Sequence, residues 1–503
     1  MIKLRGHVFD FRSHNMKLSF FSRLQMVVIL GFVASLSSAA RPPNVLIFFI
    51  DDLRPELGCY GVDYIQTPHI DQLASQGLRF ERAYCQQAIC GPSRISMLAG
   101  QYPDSLGIRD LWTKLRDVQP DAISLPRYFQ NRGYRTLSFG KIYHHEIDDQ
   151  ASWSERPPRS SQLYADPDTQ ADIARRTREA KAEGLTGVPL FERTRGPAFE
   201  AADVPDEAYP DGRVATLAAA ALARSTDQPF FMCVGFTKPH LPFNAPQPYW
   251  DRYNRDHFTV PNHARPSDAP AISFTNWNEL RAYEGIPKEG PLDDDLTRTL
   301  RHGYAASVSY ADAQVGRVLA QLDAHGLRDN TIVVLWGDHG YKLGEHGLWC
   351  KHTNLELDTR VPLIVSAPGI PRGQFTTALV EIIDLFPTLA ELTAGAIPAE
   401  CEGRSFASLL TQPDEPFREF ALSQYPRGEV TGYSLRTDRW RYTEWINRRT
   451  LEIDSRELYD HRDSQLADRN LAALPEFFDL TTKLSQKLAS RQRVQTNAQP
   501  AGD

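Results

Sequence analysis

Cysteine is scarce in this 503-residue sequence: six residues, widely scattered, with no C-x-x-C pair among them. That excludes a disulfide-stapled scaffold and a thiolate metal knuckle, while one bridge is possible and the sequence does not say which. Basic surplus is lacking as well. The 56 Lys and Arg are outnumbered by 63 Asp and Glu, for a formal net charge of -7. A general nucleic-acid partner or an anionic membrane surface is therefore not expected, and any anionic substrate needs a local cluster of cations. No internal repeat is visible. The run "MVVILGFVASL" covers about 11 residues, short of the ~20 that a stable membrane span requires.

That run does have a role to suggest. Lys17 and Arg23 precede or flank it and the small residues "SSAA" follow, ending at Ala40. The pattern is that of a cleaved signal peptide over residues 1–40, with Met16 as a candidate start. An exported enzyme, periplasmic or secreted, is the expectation.

Beyond residue 40 several apolar runs each end in ionisable residues. "NVLIFFI" ends in Asp51-Asp52, "TLSFG" in Lys141, His144 and His145, "PFFMCVGF" in Lys238 and His240, and "NTIVVLWG" in Asp338-His339. Continuous β-branched and aromatic runs of this length suit strands buried on both faces. "VPLIVSAPG" is one more. Helical segments separate them: a short one from Thr67-Pro68 to Gly77, "GRVATLAAAALARS", and a long one ended by Gly326. The fold class is α/β, a doubly wound sheet flanked by helices, with ligands expected where the strands end. Residues 41–414 form the expected catalytic domain, with insertions near 150–212 and 244–300 that carry no clear period. In residues 415–503 the texture changes to alternating strands such as "GYSLRTDRWRYTEWI", predicting a smaller C-terminal α+β subdomain with an antiparallel sheet.

If the strands ending in Asp51-Asp52 and in Asp338 are neighbours, three carboxylates share one site. At ~5 Å and an effective dielectric of ~20 each pair repels by roughly 3 kcal/mol, so three pairs cost about 10 kcal/mol. Such a site takes up protons or a cation, and oxygen ligands favour calcium or magnesium. His339 is a less typical partner for calcium. Around it Lys141, His144, Lys238, His240, His346 and Lys351 all follow strand ends, as an anion cradle with a proton donor would require. The candidate nucleophile lies in "QAICGPSRISMLAG": Cys90, with Arg94 one turn later if the segment is helical.

C-G-P-S-R resembles the C-x-P-S-R signature of type I sulfatases, in the alkaline phosphatase superfamily. "IDDLRPELGCYG", "TPHIDQLA", "GKIYHHE", "KPHLPF", "GDHGYKLGEHGLWCKHTN", "RVPLIV" and "DLFPTLAEL" look like iduronate-2-sulfatases and their bacterial relatives, over roughly residues 42–475. The resemblance implies that a maturation enzyme oxidises Cys90 to formylglycine, with Pro92 and Arg94 in the recognised sequence. It implies calcium (Ca2+) on Asp51, Asp52, Asp338 and His339. It implies Arg94 steadying the hydrated aldehyde, Lys141 and Lys351 on sulfate oxygens, His144 beside the formylglycine and His240 as general acid. One hydroxyl of the hydrate attacks sulfur and the second lets sulfate depart, which a serine or an unmodified cysteine cannot do. The wider signature has L-T-G where this chain has Leu98-Ala99-Gly100.

The implied activity is that of a sulfuric ester hydrolase acting on a sulfated oligosaccharide or polysaccharide, iduronate-2-sulfatase-like. Lys114, Arg116, His346 and Arg427 are candidates for reading a uronate carboxylate, or are surface cations. An algal sulfated polysaccharide is the alternative substrate. A phosphoester hydrolase would want Ser or Thr at the nucleophile and usually two metals. A non-catalytic glycan-binding homologue would have lost one of the Cys, Lys or His residues, all of which are present.

Overall fold

A computed structural model describes residues 41–144, 147–160, 162–224, 227–466 and 468–497. The signal peptide read at residues 1–40 and His145 lie outside these residues. Seven strands build the main sheet: β1 (Asn44–Ile50), β2 (Leu78–Tyr84), β3 (Arg135–Gly140), β4 (Phe230–Phe236), β5 (Thr331–Gly337), β6 (Arg360–Ser366) and β7 (Gln374–Glu381). Their order is β7-β2-β6-β5-β1-β4-β3. β1 pairs in parallel with β4 and β5, β3 with β4, and β7 with β2. β6 alone is reversed, antiparallel to both its neighbours. The C-terminal ends of the other six strands therefore share one edge.

The physical reason for β1 is plain in its burial. All seven residues are buried, and they alternate between two cores. Leu46, Phe48 and Ile50 pack on one face of the sheet, and Val45, Ile47 and Phe49 on the other. Full burial of side chains of this size is worth roughly 1.5–3 kcal/mol each, so a period-free apolar run is what a two-sided strand needs. β5 divides in the same way, with Val333 and Leu335 opposite Ile332, Val334 and Trp336. The helix Asp294–Ala324 opens on the Asp293 carboxylate, which accepts the Leu296 N–H at 2.7 Å.

The two insertions are more ordered than their composition suggests. The first contains a 16-residue helix, Pro167–Ala182, capped by Asp166, whose carboxylate accepts the Thr169 N–H at 2.7 Å. Ala180 is its one fully buried residue, so no apolar stripe marks it in the sequence. Phe199–Ala202 of the first insertion pairs in parallel with Phe243–Pro246 at the start of the second.

Strands β8 (Ala421–Arg427), β9 (Val430–Arg436), β10 (Trp440–Asn447) and β11 (Ile453–Asp460) form the expected antiparallel sheet. It docks on the chain just after β2. The Gln424 N–H donates to Gln86 O at 2.7 Å, and Ser423 Oγ to Cys85 O at 2.6 Å. Glu356 is buried between the sheets and accepts from Arg436 at 2.9 Å, Arg441 at 2.6 Å and Tyr84 at 2.9 Å. This brace fixes the path of the loop that delivers Cys90. All six cysteines are free thiols. No helix among the described residues is long and apolar enough to cross a membrane.

Candidate active site

Register brings the acids together. Ile50 of β1 lies opposite Gly337 of β5, so Asp51 and Asp338 leave adjacent strands side by side. Asp51, Asp52, Asp338 and His339 are all fully buried. Asp338 accepts the backbone N–H groups of Asp52 at 3.1 Å and of His339 at 3.0 Å. Asp52 has φ 60, a left-handed conformation that aspartate tolerates better than most residues but that still stores strain at the site.

Cys90 begins the helix Cys90–Ala99, which puts Arg94 one turn further along. Sγ of Cys90 lies 3.4 Å from Asp51 Oδ1, 3.3 Å from His339 Nε2 and 3.7 Å from Lys141 Nζ. The fully buried Arg94 spans the site: Nε donates to Asp338 at 2.8 Å, Nη2 to Asp51 at 3.2 Å, and Nη1 to the carbonyls of Lys141 and, at 3.2 Å, Ile142. Burial, and after it the Asp51 charge, push the Cys90 thiol well above its ordinary range. An unmodified thiol here is a poor nucleophile. Burial also opposes ionisation of Asp51, but Lys141 and Arg94 outweigh it and hold this carboxyl well below the usual range. On Asp52 burial wins, and its carboxyl is raised despite Lys351.

Cations line the same pocket. Lys141 pairs with Asp51. Lys351 donates to both Asp52 oxygens at 3.0 Å and lies between two left-handed residues, Cys350 at φ 64 and His352 at φ 82. His240 Nε2 is 4.0 Å from Asp52 Oδ2. His144 is buried, 6.1 Å from the exposed ring of Trp112 between centroids. The loop bearing Trp112 crosses directly over the nucleophile segment. A Cβ on Gly91 would come within 3.0 Å of Asp110 O, and Gln87 Nε2 holds Arg109 O at 2.8 Å.

Four expected ligands of substrate are otherwise engaged. Lys238 is buried and turns onto the carbonyls of His240, at 3.0 Å, and Pro242, so it shapes the loop that carries His240. His346 ties to Ala264 O at 2.9 Å, and Arg116 to Asp149 at 2.7 and 3.1 Å. Arg427 donates to His352 O. Lys114 is exposed. One residue escaped the sequence reading altogether. Glu279, from the second insertion, lies 2.9 Å from His240 Nε2 and 2.8 Å from Lys351 Nζ. Its neighbours "NWNEL" have no periodicity and no charge pairing that would single it out.

The donor set suits a hard dication. Asp51, Cys90, Asp338 and His339 each offer a ligand atom, all within 4.8 Å of one another. Two carboxylates and one imidazole at the carboxyl edge of a parallel-rich sheet, with Asp52 in an adjoining group with Cys90 and His240, face a helix-borne residue between lysines, an arrangement suited to an ester hydrolase of the alkaline phosphatase-like fold. The chain belongs to the sulfatase family: residues 43–396 match Sulfatase, and residues 344–494 match the C-terminal region of N-sulphoglucosamine sulphohydrolase. It is a sulfuric ester hydrolase. Iduronate 2-sulfatase of Mus musculus is 33% identical, with 89% of this chain and 95% of the mouse protein covered. A structure solved with its substrate, D-glucosamine-2-N,6-O-disulfate, superposes with TM-score 0.72 at 22% identity, covering 91% of this chain and 99% of that one. The phosphonate monoester hydrolase of Agrobacterium radiobacter shares the fold at TM-score 0.73 and 19% identity, over 90% and 96% of the two chains.

Proposed function

We propose that this sulfatase removes sulfate from a sulfated sugar, a 2-O-sulfated uronate in the first place, with Cys90 converted to formylglycine by a maturation enzyme and calcium held by Asp51, Asp52, Asp338 and His339. The observation that carries the reading is the buried Cys90 at a helix start, within 3.7 Å of Asp51, His339 and Lys141. The Sγ atom stands in for the oxygen that residue 90 carries after conversion. Once formed, that group supplies a hydrated aldehyde as nucleophile toward sulfur, and the dication supplies charge to lower its pKa.

The remaining work falls to the chain's own residues. Arg94 locks the Asp51 and Asp338 carboxylates in place. Lys141 faces the atom at position 90 and steadies an oxygen there. Lys351 meets the sulfate oxygens, and each such donor in a dry site is worth about 3–4 kcal/mol in the transition state. His240 gives a proton to the departing sugar oxygen; its Nδ1 hydrogen-bonds Leu241 O at 2.6 Å, which leaves Nε2 facing the pocket. The sulfatase likeness assigns the buried His144 to assist at position 90. Export through a signal peptide over residues 1–40 completes the reading and agrees with polysaccharide substrates outside the cytoplasm.

The test is release of inorganic sulfate, by ion chromatography, from protein co-produced with a maturation enzyme. The substrates are a heparin-derived disaccharide with 2-O-sulfated iduronate, 6-O-sulfated glucosamine, and ulvan and carrageenan oligosaccharides. Preferred release from the uronate sulfate is expected. Release from the algal oligosaccharides alone overturns the sugar, and release from none of them overturns the reading. Calcium has its own readout. Chelation should lower the thermal midpoint and calcium should restore it, since a ligand at a hundredfold excess over its Kd stabilises by about 2.7 kcal/mol. An unchanged midpoint in both arms removes the metal from the proposal.

A further inference from the structure

Two side chains from different loops flank the chain where it leaves β3. Lys141, the first residue of that exit, stands 3.7 Å from Cys90 Sγ, and Tyr143 and His144 follow. The ring of Trp112 lies 6.1 Å from the ring of the buried His144, edge to face, yet Trp112 is 70% exposed. Its loop is firmly held. The Asp110 carboxylate accepts the N–H groups of Trp112 at 2.7 Å and of Thr113 at 2.8 Å, and the Thr113 hydroxyl at 2.8 Å. The Asp110–Leu111 backbone rests against Gly91, beside Cys90. Aromatic side chains gain much of their worth from burial, and a fixed indole left in water beside a pocket awaits an apolar face brought by a ligand. The C–H face of a pyranose ring is such a surface.

Arg159, of the first insertion, is the second side chain. Its segment runs up along β3, where the Ser154 N–H donates to Thr136 O at 2.8 Å and the Ser138 N–H to Glu155 O at 3.0 Å. Arg159 Nη1 then donates to Tyr143 O at 3.2 Å, and Ser160 next to it accepts from Arg213 at 2.8 Å. The charges here do not balance. Arg116 takes Asp149 at 2.7 and 3.1 Å, Arg156 takes Asp148 at 2.5 Å, and Arg159 Nη2 reaches Asp148 only at 3.7 Å. Three guanidiniums thus share two carboxylates, and the Arg159 side chain keeps 28% exposure. Burial pulls its pKa down to about 10, with Asp148 opposing and Arg94 and Arg156 adding, so the charge is present at neutral pH. A planar guanidinium with donors to spare suits a carboxylate or a sulfate.

We infer that Trp112 and Arg159 form a saccharide subsite beside the sulfate pocket: the indole stacks on a pyranose ring of the substrate, and the guanidinium pairs with an anionic group of the same saccharide, a uronate carboxylate or a second sulfate. This rests on the sulfated-sugar substrate of the proposed function.

The experiment uses the matured full-length protein, wild type and Trp112→Ala, Trp112→Phe, Arg159→Gln and Arg159→Lys. kcat and KM are measured for sulfate release from the heparin-derived disaccharide with 2-O-sulfated iduronate, from its carboxyl-reduced form, and from a form lacking its other sulfates. Inhibition by inorganic sulfate, which fills the pocket without reaching the subsite, is measured alongside. Trp112→Ala should raise KM about tenfold on all three, and Trp112→Phe should recover most of that. Arg159→Gln should raise KM about 10–100-fold on the full disaccharide, and Arg159→Lys should recover part of it. That rise should vanish on the carboxyl-reduced form if Arg159 reads the carboxylate, or on the desulfated form if it reads a sulfate. The losses should fall on KM rather than kcat, as for contacts that substrate and transition state share. An Arg159→Gln rise equal on all three disaccharides, an unmoved KM in Trp112→Ala, or a sulfate constant that weakens in step with KM overturns the proposal. Wild type that releases sulfate from an ulvan or carrageenan oligosaccharide and not from the disaccharide overturns the uronate reading instead, and the KM values of the Trp112 and Arg159 variants on that oligosaccharide then decide the subsite. Release from no saccharide overturns the two together.

Discussion

Cys90→Ala and Cys90→Ser should both fold with a near-native thermal midpoint and release no measurable sulfate. The structural side rests on size. The thiol is 2% exposed and touches polar groups at 3.3–3.7 Å, contacts weak enough that losing them leaves the two cores intact. The chemical side rests on what each replacement can do. Alanine removes the attacking atom. Serine offers one hydroxyl, which can attack once but cannot expel the sulfate it takes up. Deleting a catalytic nucleophile typically costs on the order of 10⁶ in kcat. Peptide mass spectrometry of active wild type should find oxygen in place of sulfur at residue 90. Turnover surviving in Cys90→Ala would sink the proposed chemistry.

The second large effect is at Arg94, where both stability and turnover should fall. Its guanidinium is fully buried and serves Asp338, Asp51 and two backbone carbonyls at once. Arg94→Ala strands these acceptors in a dry site. Breaking a buried ion pair from one side costs about 3–5 kcal/mol. Lysine cannot substitute, because a point charge lacks the planar fork that reaches four acceptors. Chemical denaturation of Arg94→Ala and Arg94→Lys checks this. Added calcium should recover part of the loss by replacing the missing positive charge between Asp51 and Asp338. A denaturation midpoint equal to wild type in Arg94→Ala would show that the carboxylates do not depend on it.

The legible parts of the fold were those where one physical cause dominates. "NVLIFFI" and "TIVVLWG" are apolar at every position because both faces are buried, and the acids after them mark the strand ends. β2 was not legible. Its sequence "LRFERAY" carries three charges inside a sheet, and these are tolerated because Arg79 and Glu81 pair with each other and Arg82 reaches the Thr377 carbonyl and Asp438. No pattern along the chain announces partners that distant. β7 was missed for a related reason: its first half, Gln374–Thr377, is largely exposed and reads as loop. Within the site, Asp51, Asp338, Cys90 and Arg94 stood out through motif and position. Lys238 stood out equally and turned inward, because a loop needs its carbonyls satisfied as much as an anion needs a cation. Glu279 shows the converse. A residue in an insertion gains its meaning from the turn that carries it, and that turn is fixed by Trp277 and the Arg281 guanidinium stacked on its ring rather than by anything periodic.

The burial of Cys90 also bears on timing. In the finished fold Gly91, next to it, lies against the Asp110–Leu111 backbone, and the segment just before it is tied to the C-terminal sheet through Ser423 and Gln424. A second enzyme cannot take this segment into its own active site while β8 still clamps it. On the reading above, residue 90 must be converted while the chain is open, before β8 closes over it. Each molecule then gets one opportunity: a chain that folds with its thiol intact stays inert for as long as it stays folded.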